Sequence, residues 1–464
     1  MQILSRRSAT GRALGPFICQ SCKRSLRKFS ITTARPRGPP PPPPSGYAHL
    51  TSRRLISIAG SDAPKFLHGI ITQSVVDEAI TGGRQRQNAQ PRITAANSTI
   101  GAPGFYTGFL NATGRVLHDV FIYRDTLGIA GGDAAEGEAF VIEVDAAQVE
   151  ALAKHIKRYK LRSKLKFRIL DEEECVAWQV WDDSTSAFTS ASPSSPAPIP
   201  STLQQLAQQQ PKDFLVLQDA RAPGMGFRVL SSGGGGGAQK TLEEALELPR
   251  SDDAAYRVRR YLRGVAEGQA EIPREHALPL ESNMDVTGGI DFRKGCYVGQ
   301  ELTIRTRHRG VVRKRILPCL LYPSTSTSTS SQSPPPPQQL EYNPYIVDGS
   351  GEGEQGKEGL AAEDVPAGLS IGRAAAKGRS AGTWLTGAGN VGLALCRLPI
   401  MTDVELPGET AAGAPFNPQA DEFVVRWGAD AETGQDGRSL KVKAFVPDWL
   451  RERLREDNDS ASAH

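Results

Sequence analysis

Lys294-Gly295-Cys296-Tyr297-Val298-Gly299-Gln300-Glu301 holds one thiol in a glycine-bounded turn, close behind a lysine. It sits inside the chain's densest run of unusual residues, Leu278–Arg315, which reads LPLESNMD and then VTGGIDFRKGCYVGQELTIRTRHRGVVRKR. Gly288, Gly289, Gly295 and Gly299 permit tight turns and close backbone approach. A cation beside a thiol favours the thiolate, the form that acts as nucleophile and metal ligand, and Arg293 and Lys294 are placed for that. On the residues alone, Cys296 is either a small buried residue of the turn or a reactive thiol. Leu302–Arg305 reads as a β-like run, and Arg305, Arg307 and Arg309 in alternation would line one strand face. Such a face suits a phosphate, a polyglutamate tail or an acidic protein. No His, Cys or Asp stands near Cys296 at metal-ligand spacing, so one thiol cannot complete an iron–sulfur site. A cluster held there needs further ligands from elsewhere in the chain, a partner or a small thiol.

Upstream of this segment the pattern is mixed α and β. Leu55–Ile58 reads as a strand ending at Gly60. A helix capped by Ser61 or Asp62 follows, with Pro64 in its first turn and Phe66, Leu67, Ile70 and Ile71 on one face. Phe105–Leu110 and Val116–Tyr123 form a hairpin around Asn111-Ala-Thr-Gly114. Phe140–Val144, Leu165–Leu170, Val176–Val180 and Phe214–Leu217 are strands, and Ala147–Arg158 and Asp252–Gly264 are helices. Downstream, short strands around Ile371–Arg373, Val391–Arg397, Phe423–Trp427 and Val442–Val446 suggest a small β-barrel or sandwich. This predicts an α+β body over residues 47–315 and an all-β domain over 316–455. Disordered insertions are expected at about 81–103, 182–212 and 231–240 in the body, and a low-complexity insertion at 322–366 in the second domain.

The first 37 residues carry nine Lys and Arg, and no acid precedes Asp62. This Arg- and Ser-rich composition is that of a mitochondrial transit peptide. Residues 1–46 are read as that peptide plus a polyproline leader, Pro39–Pro44, expected to be extended and solvated. Cleavage after Phe29 would remove seven cations and take the formal charge from +4 to −3. The basic isoelectric point is therefore no argument for nucleic acid. Cys19 and Cys22 would leave with the leader. The other four cysteines are scattered singly, as in a reducing compartment. No stretch approaches the roughly 20 apolar residues of a membrane span, so no membrane insertion is expected.

The Lys294–Glu301 octet resembles the KGCYxGQE signature of YgfZ-type proteins, folate-binding relatives of the glycine-cleavage T-protein (aminomethyltransferase). The resemblance extends through Leu55–Thr72, Leu110–Arg124, Tyr159–Lys164, Asp219–Arg228, Tyr256–Asp285 and Gly392–Arg397. It implies a T-protein-like three-domain ring: two interleaved α+β units, one of them ferredoxin-like, and a C-terminal β-barrel. It also implies a folate site in the central opening. There Lys294, Tyr297, Gln300, Glu301 and Arg305 would contact the cofactor, tetrahydrofolate. Lys294, Cys296 and Asp119 would carry the chemistry. Aminomethyltransferases have an Asp-Asp pair after this hairpin turn. Here the pair is His118-Asp119, so one carboxylate gives way to what reads as a bulky cation.

The eukaryotic branch implied by the resemblance is that of iron–sulfur cluster assembly factors in the mitochondrial matrix. They promote [4Fe–4S] maturation of aconitase-type and radical lipoate-synthase-type enzymes with A-type carrier proteins. Cys296 would then be one ligand to a transient cluster shared with a partner. The alternative is a folate-dependent one-carbon transferase that needs Asp119. A third reading, RNA binding through Lys154–Arg168 and Arg305–Arg315, lacks the interleaved aromatics of a stacking platform, and no nucleic-acid partner is expected.

Overall fold

The computed structural model describes residues 38–75, 103–131, 138–185, 198–233, 236–323, 336–346, 360–374, 379–406, 416–418, 420–428 and 438–462. The expected transit peptide and almost all of the 81–103 insertion lie outside these residues.

The first strand, β1 (Ser45–His49), is followed by the branched run Arg53–Ala59, which forms β2. Gly60 ends it in the left-handed region at φ 138°, where a Cβ would come within 2.4 Å of Lys164 O. The chain turns there into α1 (Ala63–Ile70), which buries Phe66, Leu67 and Ile70. The hairpin is β3 (Gly104–Leu110) and β4 (Val116–Arg124). Its turn is shaped by Asn111 Oδ1, which accepts from the backbone N–H of Thr113 and Arg115. β5 (Ala139–Asp145), α2 (Val149–Lys160) and β6 (Lys166–Ile169) complete a first sheet in the order β3-β4-β5-β2-β6. Both helices share one apolar core with it, through Leu67 of α1 and Leu152 and Ile156 of α2.

The chain then passes through β7 (Cys175–Asp182), α3 (Ser201–Gln209), β8 (Phe214–Gln218), β9 (Phe227–Ser232), α4 (Gly237–Leu246) and β10 (Arg250–Ser251) to α5 (Asp253–Arg263). The second sheet runs β10-β1-β7-β9-β8. The N-terminal strand β1 therefore belongs to the sheet built from later strands, with Tyr47 opposite Val180. This is what interleaves the two α+β units. Residues 264–299 are a long series of turns without a regular element, ending in α6 (Gln300–Arg309). The C-terminal part closes into a barrel of β11 (Lys314–Pro323), β12 (Ser370–Arg373), β13 (Gly382–Ala388), β14 (Val391–Arg397), β15 (Phe423–Trp427) and β16 (Arg438–Ala444), in the order β11-β14-β13-β12-β15-β16. A short α7 (Leu398–Met401) and a terminal α8 (Asp448–Ser462) complete it.

Four local expectations are corrected. The run 302–305 is helical, part of α6, although Leu, Thr and Ile suit a strand. Gly299 at φ 80° sets the chain into the helix, and only Thr303 of its ten residues is buried, so no sheet recruits it. The 182–212 loop contains α3, whose Leu203 and Leu206 pack on the second sheet's core. Two apolar residues among glutamines were too thin a periodic signal. Region 231–240 holds the end of β9 and the start of α4. The polyproline leader is docked at both ends: Trp181 Nε1 donates to Pro43 O at 3.0 Å, and the Tyr342 hydroxyl donates to Pro39 O.

Candidate functional site

Cys296 is exposed, whereas Cys175, Cys319 and Cys396 are buried. The apolar-core reading of Cys296 therefore fails, and the site is built around a presented thiol. The turn that carries it is fixed to the first α+β unit by backbone and side-chain hydrogen bonds. Thr72 Oγ1 donates to Gly289 O at 2.6 Å and Gln73 Nε2 to Gly288 O at 2.6 Å. Asp291 N donates to Thr72 O, and Val298 N to Gly69 O at 3.1 Å. Gln300 Oε1 accepts from Tyr297 N at 3.2 Å and staples the turn across its neck. Gly299 presses on the hairpin: a Cβ there would stand 2.2 Å from Asn111 O.

Lys294 is the principal anchor. Its ammonium donates to the carbonyls of His68 (2.6 Å), Ile71 (2.7 Å) and Gln73 (2.9 Å). These oxygens lie at and just beyond the C-terminal end of α1, where helix carbonyls lack intrahelical partners and a cation is favoured. All three N–H donors are spent there, so Lys294 has none left for the thiol. Its role is to position the turn. Burial pulls its pKa down to about 7, with Asp291 opposing. The Tyr297 ring lies beneath it, 4.8 Å from Nζ, and Tyr297 is itself buried with its hydroxyl unpaired. His68 flanks the turn, with Nε2 4.0 Å from where a Cβ on Gly295 would stand. Burial first, then Lys294, lowers its pKa and favours the neutral imidazole. Glu301 and Arg305 are exposed on α6. Replacing Lys294 by Met should cost about 2–3 kcal/mol, because buried carbonyls lose a charged donor. Hydrogen exchange should then rise across 288–299. Unchanged protection there would contradict the anchoring role.

Asp119 stands apart from this turn. It is fully buried on β4, and its oxygens accept from Gly268 N at 3.1 and 3.2 Å. Burial raises its pKa, with Arg53 as the leading opposing influence. No hydrogen bond or ion pair among the described residues joins it to 294–301. It borders a closed ion network between the two sheets, in which Glu267 is the shared carboxylate. Glu267 Oε2 lies 2.7 Å from Arg228 Nη2 and 2.8 Å from Arg221 Nη1, and Oε1 lies 3.8 Å from Arg260 Nε and 4.0 Å from Arg53 Nε. Arg221 also chelates Asp219, and Arg53 and Arg228 reach Glu143. This network is not legible in the sequence. Asp219–Arg228 and the Glu267 region lie within the segments that carry the family resemblance, but nothing in their spacing shows that they converge.

His118 corrects a second expectation. It is fully buried, and its Nε2 lies 2.9 Å from Arg274 Nη1. An arginine can only donate, so Nε2 accepts and Nδ1 carries the proton. Burial, then Arg274 and His155, lowers its pKa to about 3. It is a neutral ring at physiological pH and not a cation. Because the folded pKa lies below the unfolded value, the unfolded chain takes up a proton first as pH falls. Stability from this group is fully present above about pH 6.5 and falls by about 1.4 kcal/mol per pH unit as pH drops toward 3. Urea titrations of His118→Gln between pH 7 and 4 should show a shallower acid loss than the wild type; an identical slope would contradict the assignment.

Comparison with known proteins places this geometry. Residues 313–452, which span the barrel, match the CAF17 C-terminal beta-barrel domain. The mitochondrial iron–sulfur cluster assembly factor IBA57 homolog of Pyricularia oryzae is 49% identical over 438 residues, covering 94% of this chain and 93% of the relative. The chain belongs to the IBA57 family of mitochondrial iron–sulfur cluster assembly factors. The IBA57 homolog of Chaetomium globosum is 45% identical over 466 residues, covering 97% of this chain and 96% of the relative. Membership places the chain in the mitochondrion. Among solved structures, the glycine cleavage system aminomethyltransferase T from Bartonella henselae matches with a TM-score of 0.50 over 88% of this chain and 87% of that one. At 12% identity this is a likeness of fold, and it agrees with the expected α+β arrangement and closed barrel.

That fold raises the question of tetrahydrofolate, and the residues between the sheets do not fit it. A planar pterin needs an aromatic face and free polar edges. The Arg221 guanidinium already lies 4.7 Å from the Phe121 ring centre and 5.2 Å from that of Tyr106, and Arg228 lies 4.6 Å from Phe121 and 5.3 Å from Tyr256. The carboxylates beside them are committed to those arginines. A cavity of about 340 Å³ remains at the network's edge, bounded by Arg53, Asp145, Arg257, Arg260 and Gln269, and no aromatic residue lines it. We therefore derive no one-carbon transfer step.

Proposed function

We propose that this chain promotes [4Fe–4S] maturation of aconitase-type and radical lipoate-synthase-type enzymes in the mitochondrial matrix, acting with A-type carrier proteins. The observation that carries this is the exposed thiol of Cys296 on a turn held rigid by Lys294, Thr72, Gln73 and Gln300. No group of three or more His, Cys, Asp or Glu able to hold a metal occurs among the described residues. A single presented thiol can complete a site whose other ligands come from a partner. The fixed backbone holds that ligand in position, so little conformational freedom is lost on docking. The iron–sulfur cluster is thus transient cargo held between two proteins. Cells depleted of the chain should lose aconitase activity and protein lipoylation while a [2Fe–2S] ferredoxin stays active. Loss of all three, or of none, would contradict this placement.

A further inference from the structure

Leu161, just past the end of α2, is the most exposed large apolar side chain among the described residues, with 87% of its surface open. Its backbone is at φ 43°, ψ −109°, a conformation that β-carbon-bearing residues strongly avoid. Glycine would sit there without strain, yet a bulky aliphatic residue is held outward. Strain of this kind persists where a conformation is used. Around it stand Lys157, Arg158, Lys160, Arg162, Lys164 and Lys166, none with an ion-pair partner among the described residues, and the only acid from 150 to 166 is Glu150 at the far end of α2. Beside the tip opens a groove of about 820 Å³. Lys160, Lys164, Lys166 and the hydroxyl-bearing Ser61 and Ser163 line it, with Glu138 as the one acid among the described residues that border it.

We propose that this tip is a peripheral docking surface for an anionic phospholipid bilayer, with Leu161 dipping below the headgroups and the lysines binding lipid phosphates. A protein interface surrounds its anchor with a complementary apolar core, but the residues next to Leu161 are cations. Single-stranded nucleic acid stacks its bases on a series of exposed aromatic faces, whereas the tip presents an aliphatic chain and the groove a single half-buried aromatic, Phe167, among the described residues. A fluid bilayer needs no matching shape, and each basic residue near an anionic surface adds about 1 kcal/mol. The association is peripheral, since no helix among the described residues is long and apolar enough to cross a membrane.

The test uses the full chain with phosphatidylcholine vesicles, with and without phosphatidylglycerol. Binding is expected only to the anionic vesicles. Lys157→Glu with Lys164→Glu should weaken it at least about tenfold. Leu161→Gly should weaken binding while raising Tm, because it relieves the backbone. The leader's cations are common to all variants, so a local reading decides: fluorescence gained in Leu161→Trp should be quenched by brominated acyl chains. Unquenched fluorescence at position 161, equal binding to neutral vesicles, or retention by RNA in place of vesicles would each overturn the proposal.

Discussion

Cys296→Ser is expected to leave the fold and Tm unchanged and to abolish cluster maturation. The side chain is exposed and makes no hydrogen bond that holds the turn, so replacing sulfur by oxygen removes no packing. The turn keeps its shape from Lys294, Gln73, Thr72 and Val298. What is lost is a soft ligand suited to iron. A null strain carrying Cys296→Ser should show the same aconitase and lipoylation defects as the empty strain, with normal amounts of soluble protein. Full restoration of aconitase activity by the Ser variant would show that the thiol is not a ligand.

The second large effect is on stability. Glu267→Gln should destabilise the body by about 3–5 kcal/mol, the cost of breaking a buried ion network from one side. Burial opposes ionisation of Glu267, but Arg228, Arg221, Arg53 and Arg260 outweigh it and hold the carboxyl well below its usual range. An acid with a depressed folded pKa contributes its stability above the unfolded value, and that contribution is lost as pH falls. Glu267→Gln should therefore lower the urea midpoint markedly at pH 7 and much less near pH 3. Arg221 Nη1 lies 2.8 Å from Glu267 Oε2 with its N–H turned off the oxygen, so charge attraction more than hydrogen-bond geometry holds that pair. An unchanged midpoint at pH 7 would mean that the network is dispensable.

Local pattern made much of this fold legible. The strand–Gly60–helix unit, the Asn111–Gly114 hairpin and the barrel strands follow from side-chain branching, turn residues and apolar spacing over a few positions. The joining of β1 to β7 was not legible from pattern, because pairing over more than a hundred residues leaves no local trace. α6 carries strand-favouring residues, but the left-handed Gly299 sets the chain into a helix, and no sheet among the described residues includes the segment. At the site, the octet pointed to the right turn. It could not show that Lys294 closes the end of α1, because His68, Ile71 and Gln73 present only backbone oxygens, which every residue has. The neutral state of His118 was likewise illegible, because burial and the facing Arg274 decide it and residue type does not.

If Cys296 completes a cluster shared with a carrier, the two proteins should hold that cluster together in solution. Anaerobic mixing of the full chain with a cluster-loaded A-type carrier, followed by size exclusion with visible absorbance, decides the matter. One coloured peak containing both proteins is expected, absent with Cys296→Ser and present with Asp119→Asn. A coloured complex that survives Cys296→Ser, or colour that stays wholly with the carrier in the presence of the wild-type chain, would contradict it.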